Sequence, residues 1–345
     1  MNTLFASEQH LRTAFADGLE GLLAKEQLGT FILVLANASV DETLQRRLGA
    51  ALAAQSERLH ATCRERLSRG DPVAAVEEDL SVFLKLQTVG LDNLPASRYR
   101  TTGPWQLQFN LLRAFRPRRI TSQAPKGIAA PYDPEAFNFN KPFLQKEAFW
   151  SGPIGGREAT LYYNKYPFAD LHGLLVPERE ACHPQRLTDK HHRYAWEVAA
   201  EAGAGLPGVG LGYNGYGAFA SVNHLHFQLF NAPNGLPVVD PRWRHNGGAH
   251  PYPAECAAFD EREAAWRFLQ RLQEAEIPHN ALYLPGRCYL FPRRPQGSYR
   301  QPEWTSGFTW YELAGGFITF NREQFDRIDP AEIETALTAT RPDGD

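Results

Sequence analysis

Two histidines and a glutamine occupy alternate positions in residues 220–230, ASVNHLHFQLF. His224, His226 and Gln228 are separated by Leu225 and Phe227 and followed by Leu229. Alternation at period two is the pattern of a β-strand with one buried face, so the three apolar residues face a core and the three polar ones share the other side. Same-face neighbours on a strand lie roughly 6–7 Å apart, a span that fits a phosphate group. A neutral imidazole is a good nucleophile towards phosphorus, and its ordinary pKa of about 6.5 leaves it largely neutral near pH 7. Attack needs one ring nitrogen bare, which requires the other to donate its hydrogen to a fixed acceptor. The second histidine can hold the geometry or touch the phosphate. Gln228 can donate amide hydrogens to a non-bridging oxygen without adding a titrating group. The glycine-rich run GYNGYGAFAS just upstream, with Asn214, Gly217, Ser221 and then Asn223, supplies main-chain N–H groups and tight turns of the kind anion sites use. No Walker, GxSxG or HExxH motif competes with this reading.

The elements that must position this row are legible in outline. The first hundred residues read as helical: Leu11, Phe15, Leu19 and Leu22 recur at helical spacing, and FILVLA at 31–36 is a core segment too short to span a membrane. Ser39 with Glu42 forms a capping-box signature for a helix carrying Leu44, Leu48, Leu52, Leu59 and Leu67 on one stripe, and Asp71-Pro72 starts the next. This region offers no chemistry of its own and reads as a packing or partner-facing unit. From about residue 105 the texture turns to strands, Gly/Pro turns and shorter helices. LHGLLVPE is a buried strand, a helix runs from about 188 to 202, VGLGYN is a strand, a helix spans 260–275, and 281–293 is a hairpin turning at Pro285-Gly286. Strand–helix–strand followed by helix–strand–strand implies two related α+β units, the second without the histidines.

Composition bounds the rest. With 345 residues, 43% hydrophobic and 22% charged, the chain has the make-up of a folded protein of one large or two ordinary domains. A net charge of −3 argues against a dedicated nucleic-acid binder. The N-terminus lacks a basic flank and apolar stretch, so no signal peptide is read. Four scattered cysteines without a CxxC pair suit a reducing, cytoplasmic setting. Cys182, His183, His191 and His192 lie close in sequence, but their spacing is loose for zinc, and no metal is expected there. His183, His191, His192, His245, His250 and His279 read as structural.

HLHFQ resembles the His-x-His-x-Gln motif of the transferase branch of the histidine-triad superfamily. The longer run LGYNGYGAFASVNHLHFQ at 211–228 is similar to the plant GDP-L-galactose phosphorylases and the animal GDP-D-glucose phosphorylases. FNLLRAFRPRR at 109–119, PYDPEAFNFNK at 131–141, HGLLVPEREACHPQRLT at 172–188 and YELAGGFITF at 311–320 resemble further family segments, so the likeness covers roughly 105–320. NKYP at 164–167 looks instead like the Asn-Lys-Phe-Pro of diadenosine tetraphosphate phosphorylases. The resemblance implies an α+β fold: a histidine-triad-like antiparallel sheet with flanking helices, duplicated with a degenerate second half, behind a helical N-terminal region. The expected boundaries are 1–100 for that region and 101–345 for the catalytic domain, its active half at 105–235 and its degenerate half at 255–325.

By the same resemblance His226 takes the nucleotide, His224 and Gln228 support it, and His172 matches a family histidine. Asn138 and Phe139 fall where the nucleoside would be held, with Lys141 and Asn164 beside them. Arg113, Arg116, Arg118 and Arg119 fit either a solvated face or a phosphate-facing patch, and Phe137 and Phe139 either core or base-stacking roles. The implied reaction is phosphorolysis of a nucleoside-diphosphate hexose, GDP-linked by the likeness, through a nucleotidyl-histidine and without metal or cofactor. The partners are the nucleotide sugar and inorganic phosphate, with no nucleic acid and no membrane, and there is room for a homodimer. A dinucleoside polyphosphate substrate or another acceptor is the alternative within this chemistry; a nucleotide-binding sensor whose helices contact a partner is the alternative of another class.

Overall fold

The computed structural model describes residues 4–116 and 125–343; Arg118 and Arg119 lie outside them. Four helices come first: α1 Glu8–Leu23, α2 Leu28–Ala38, α3 Glu42–Ser68 and α4 Glu77–Val89. Ser7 caps α1 by accepting from the His10 N–H, and Leu11, Phe15, Leu19 and Leu22 form its buried stripe. α2 is buried along almost its whole length, as a helix apolar on all sides must be.

Local capping differs from expectation in two places. α3 is capped by Asp41, whose carboxylate accepts from the N–H groups of Thr43 and Leu44, while Ser39 closes α2 and bonds the Ala36 carbonyl. The carboxylate sits one residue before Glu42 and outcompetes the more distant hydroxyl. α4 begins at Glu77 rather than at Pro72; residues 71–76 are irregular, with a bend at Ala74-Ala75. Leu67, assigned to the buried stripe of α3, is exposed near the end of that helix.

The rest is strand-rich. β1 Arg98–Thr102, β2 Trp105–Phe109 and α5 Leu111–Ala114 precede β3 Ala148–Ile154, β4 Arg157–Tyr163 and β5 Asp170–Pro177. Then come α6 Asp189–Gly205, β6 Val209–Asn214, β7 Phe227–Asn231, β8 Ala257–Phe259, α7 Arg262–Glu274, β9 His279–Leu284 and β10 Arg287–Pro292. α8 Trp310–Leu313, β11 Gly316–Thr319, α9 Arg322–Arg327 and α10 Pro330–Thr338 finish the chain. The fold is α+β, with an antiparallel eight-stranded sheet ordered β3-β4-β5-β7-β6-β9-β10-β8 and a small sheet β1-β2-β11 whose last strand runs parallel to β2. None of the described helices is long and apolar enough to cross a membrane.

β5-α6-β6-β7 and β8-α7-β9-β10 share one topology, in each case with the third strand between the first and second. The two units join through β6 and β9, with Gly212 opposite Leu282. Where the first unit carries its histidines ahead of β7, the second turns tightly at Gly286 into Arg287 and Cys288.

Side-chain alternation divides the large sheet's two faces. Leu211, Tyr213, Leu225, Phe227, Leu229, Ala281 and Tyr283 enter the main apolar core with α6, α7 and the N-terminal helices. On the opposite face, Phe230, Leu282, Tyr289 and Phe291 pack with Trp310 and the small sheet. A third, smaller cluster of Phe139, Leu144, Tyr162 and Val176 covers the sheet beside the histidines.

Candidate active site

The alternation of residues 224–229 is present, but the ladder begins only at Phe227. Ahead of it, the main chain is held by the segment leading into α6. The Leu225 N–H donates to the His183 carbonyl at 2.8 Å, and the His226 N–H to Gln185 Oε1 at 2.9 Å. Gln185 returns its own Nε2 to the carbonyls of His226 (3.1 Å) and Asn214 (2.9 Å). This buried amide therefore grips the His226 peptide on both sides and ties it to the end of β6. The Asn223 side chain fixes Gln185 in turn by accepting its N–H at 3.0 Å, and donates to the Ala130 and Pro131 carbonyls.

His226 is 5% exposed, and its Nδ1 lies 2.8 Å from the carbonyl of His224. A carbonyl only accepts, so Nδ1 carries the hydrogen and Nε2 keeps its lone pair. Burial lowers the ring's pKa to about 4, opposed by that same hydrogen bond. His224 has the opposite tautomer. Its Nδ1 accepts from the Phe139 N–H at 3.2 Å, which places the hydrogen on Nε2, a buried atom with no hydrogen-bond partner. Burial and the neighbouring His226 bring its pKa to about 4, while the Arg179 carbonyl, outside bonding geometry, pulls the other way. Phe139 packs between the two rings, with centroids 5.6 and 5.2 Å away, and stacks on Tyr162. Tyr132 meets His224 edge-on.

Gln228 accepts at Oε1 from the Trp310 indole N–H over 2.8 Å. The indole reaches it because Gly212 lies beneath the ring; a side chain there would collide with Trp310. His172, fully buried, has Nδ1 3.2 Å from the Phe168 nitrogen and Nε2 2.9 Å from the Asn164 amide nitrogen; both neighbours are donors, so the neutral ring accepts from one of them and turns its own N–H towards the other. Burial drives its pKa to about 3, against a pull from Gln228 and with a push from the Arg113 charge. A bulge in β5 between Asp170 and Gly173, with Leu171 at φ 51°, precedes this ring.

The other expected residues divide. Phe139, Asn164 and His172 join the row. Asn214 accepts from Asn280 Nδ2 (2.7 Å) and the Trp310 N–H (2.9 Å), so it anchors α8. Asn138 and Lys141 turn onto their own loop: Asn138 donates to the carbonyls of Pro134 and Ala136, and Lys141 to those of Pro134 and Glu135. Gly217 has a left-handed backbone and offers its carbonyl to Gln296, while Ser221 is exposed. The expected cradle of loop N–H groups is largely spent internally: those of Ala218 and Ala220 go to the Gly215 carbonyl, and that of Phe219 to Gln296.

Arg113 and Arg116 are not a solvated face. They donate to the carbonyls of Tyr166 and Lys165, and each keeps one buried nitrogen without a partner. Burial lowers the pKa of Arg113 to about 10, while Glu312 favours its charge. His192 turns inward to Tyr283 and the Arg262 carbonyl, away from any grouping with Cys182. Among the described residues no group of three or more His, Cys, Asp or Glu is arranged to hold a metal ion.

Gln185 and Trp310 were missed as site residues. Each belongs to a segment already noted for resemblance or to its edge, yet their partners lie 41 and 82 positions away. A buried glutamine between a proline and an arginine was the only local signal.

Residues 102–230 match the family described as GDPGP1-like, N-terminal domain. GDP-D-glucose phosphorylase 1 of Bos taurus is 28% identical over 281 residues, covering 70% of this chain and 71% of that protein. GDP-L-galactose phosphorylase 2 of Arabidopsis thaliana is 43% identical over 139 residues, covering 35% of this chain and 32% of the plant protein. The match thus spans about a third of the plant relative's length. Among solved structures, yeast Ap4A phosphorylase Apa2 has a similar fold, with a TM-score of 0.51 at 16% identity over 79% of this chain and 98% of that one. Residues 102–230 are therefore similar to the GDPGP1-like N-terminal domain, and the chain is similar to GDP-D-glucose and GDP-L-galactose phosphorylases.

Proposed function

We propose that the protein is a nucleotidyltransferase that cleaves a GDP-linked hexose with phosphate through a covalent nucleotidyl-His226. The observation that carries this reading is the Nδ1–H···O=C bond from His226 to His224, which leaves a neutral imidazole with its Nε2 lone pair free. Nε2 attacks the α-phosphorus, the bond from that phosphorus to the bridging oxygen breaks, and hexose 1-phosphate leaves. Inorganic phosphate then attacks the same phosphorus, the N–P bond breaks, and GDP is released with Nε2 restored. His224 supports the phosphate through its unpartnered Nε2–H, which explains a buried donor that otherwise has nothing to bond. Gln228, its carbonyl held by Trp310, gives its NH₂ to a non-bridging oxygen. Both relatives above are named for the phosphorolysis of a GDP-hexose, which supports the substrate class.

A dinucleoside polyphosphate is the second reading, favoured by the Asn164-Lys165-Tyr166-Pro167 segment lying against His172. The test is a product assay over GDP-hexoses, other nucleotide sugars and diadenosine tetraphosphate, with and without phosphate. Hexose 1-phosphate and GDP formed only with phosphate is the expected result. Preferential cleavage of the dinucleotide would move the assignment to the second reading, and release of GMP by water alone would remove phosphate as acceptor.

A further inference from the structure

Residues 163–170 link β4 to β5 and lead from Asn164 to His172. The N-terminal helices grip this short segment at five places. The Tyr163 hydroxyl donates to the Phe15 carbonyl of α1 at 2.6 Å, and Gly18 leaves room for it. Asn37 of α2, itself buried, donates to the Asn164 carbonyl at 3.1 Å. Lys165 pairs with the buried Asp79 of α4 at 2.8 Å, and the Tyr166 hydroxyl bonds the adjacent Glu78. Arg12 of α1 forks onto Asp170, with one arm at 3.0 Å.

Three helices thus converge on one loop: α1 on its two ends, α2 on Asn164, and α4 on Lys165 and Tyr166. The Asp79 carboxylate is buried and its partner Lys165 half-buried, so the pair contributes little net stability, but loss of the lysine contact leaves a buried charge stranded and the geometry unfixed. The grip also bears on strain. Leu171 holds φ 51°, a region that non-glycine residues avoid, and such a conformation persists only where its surroundings over-determine it. Asp170, on one side of Leu171, is fixed by both Arg12 and Asn231; His172, on the other side, is enclosed by Asn164 and Phe168, whose nitrogens lie 2.9 and 3.2 Å from its ring.

We propose that α1, α2 and α4 are positioning elements of the active site, with Asn37, Asp79 and Arg12 acting on the reaction through Asn164 and His172. This rests on the phosphorolysis reading for its rate measurements, but not for its structural ones. It makes residues 1–100 part of the catalytic unit rather than a separate module for another protein.

The test uses the full chain with ¹⁵N-labelled histidine. Asn37→Ala and Asp79→Asn should each shift the imidazole resonances of His172 and lower kcat roughly tenfold, with KM for the nucleotide sugar changed by less than about threefold. Asp79→Glu should recover most of the rate. Tyr166→Phe, which removes the hydroxyl that bonds Glu78 and keeps the ring under Arg116, provides a milder variant should Asp79→Asn fold poorly. Arg47→Ala, which breaks an exposed contact between α3 and α1, should change neither signal nor rate. The double variant Asn37→Ala/Asn164→Ala should be no slower than Asn164→Ala alone. Unmoved His172 resonances in Asn37→Ala and Tyr166→Phe would overturn the proposal, as would fully additive rate losses in the double variant. If no nucleotide is turned over by any form, the phosphorolysis reading fails and the resonances alone decide the positioning role.

Discussion

The indole N–H of Trp310 lies 2.8 Å from Oε1 of Gln228 and thereby decides which end of the amide is free. Since the indole only donates, Gln228 must present its carbonyl to the tryptophan and its NH₂ elsewhere. An amide that could flip would face a phosphate with the wrong end half the time.

Trp310→Phe keeps the stacking on Phe230 (4.6 Å) but deletes the donor. The expected outcome is a roughly tenfold fall in kcat, with a loss of about 1–3 kcal/mol in stability from the buried carbonyl left unpaired. Steady-state kinetics and urea unfolding check the two numbers separately. Unchanged kcat would mean that the amide's orientation does not matter to the reaction.

Gln228→Glu is nearly isosteric and retains an acceptor for Trp310, but puts an anion where the NH₂ was. Rate should drop at least about a hundredfold, more than expected from losing one neutral hydrogen bond. Single-turnover measurements would locate the loss in the covalent step. Full activity would show that this side chain does not face the phosphate.

His226→Ala removes the proposed nucleophile while leaving Gln185 able to hold the same peptide. Labelling of the protein by a nucleotide radiolabelled at the α-phosphate should disappear, and turnover should fall by several decades. Wild-type turnover in this variant would rule out the nucleotidyl-histidine.

The histidines also set a pH dependence. Burial depresses His224, His226 and His191 to about 4 and His172 to about 3, below an unfolded value of about 6.5. Between these limits the unfolded chain binds more protons than the folded one, so stability is fully present above about pH 6.5 and declines as pH falls. Each ring contributes a slope of up to about 1.4 kcal/mol per pH unit across that window. kcat/KM should be flat with respect to these rings from pH 8 to 6.5, and Tm should start to fall below 6.5. The acid limb of activity should coincide with loss of folded protein measured by circular dichroism. A single ionisation of kcat/KM near 6.5 at constant Tm would contradict the buried, neutral state of His226.

What was legible in the sequence was what repeats locally. Period-two alternation placed Leu225, Phe227 and Leu229 in the core, because strand geometry alone decides that. The Pro285-Gly286 turn and α2 were equally local. The residues that escaped are those whose meaning is set by distant chain. Arg113 and Arg116 look solvated until the 164–167 loop folds over them. Ser39 looks like a cap until Asp41, two residues on, is seen to take the first N–H groups of the helix, those of Thr43 and Leu44. Gln185 is one polar residue among many until β7 is brought beside it. The glycines of GYNGYGAFAS suggested an anion cradle, but Gly212 at its head serves instead to admit an indole.

The unbroken ladder from β3 to β8 has a mechanical consequence. Because β6 and β9 pair through their main chains, the two halves of the molecule cannot open against each other like covers of a book without breaking that pairing. Yet His226 is 5% exposed and His224 1%, so neither ring is reached by a nucleotide as the molecule stands. The overlying loop covers them, with Phe139 pinned by its N–H to His224 and by its carbonyl to Tyr162 and Gln145. Those three bonds hold Phe139 over the two rings, so the cover of the histidines is fixed by polar contacts of one residue's main chain while the sheet beneath them is a single piece.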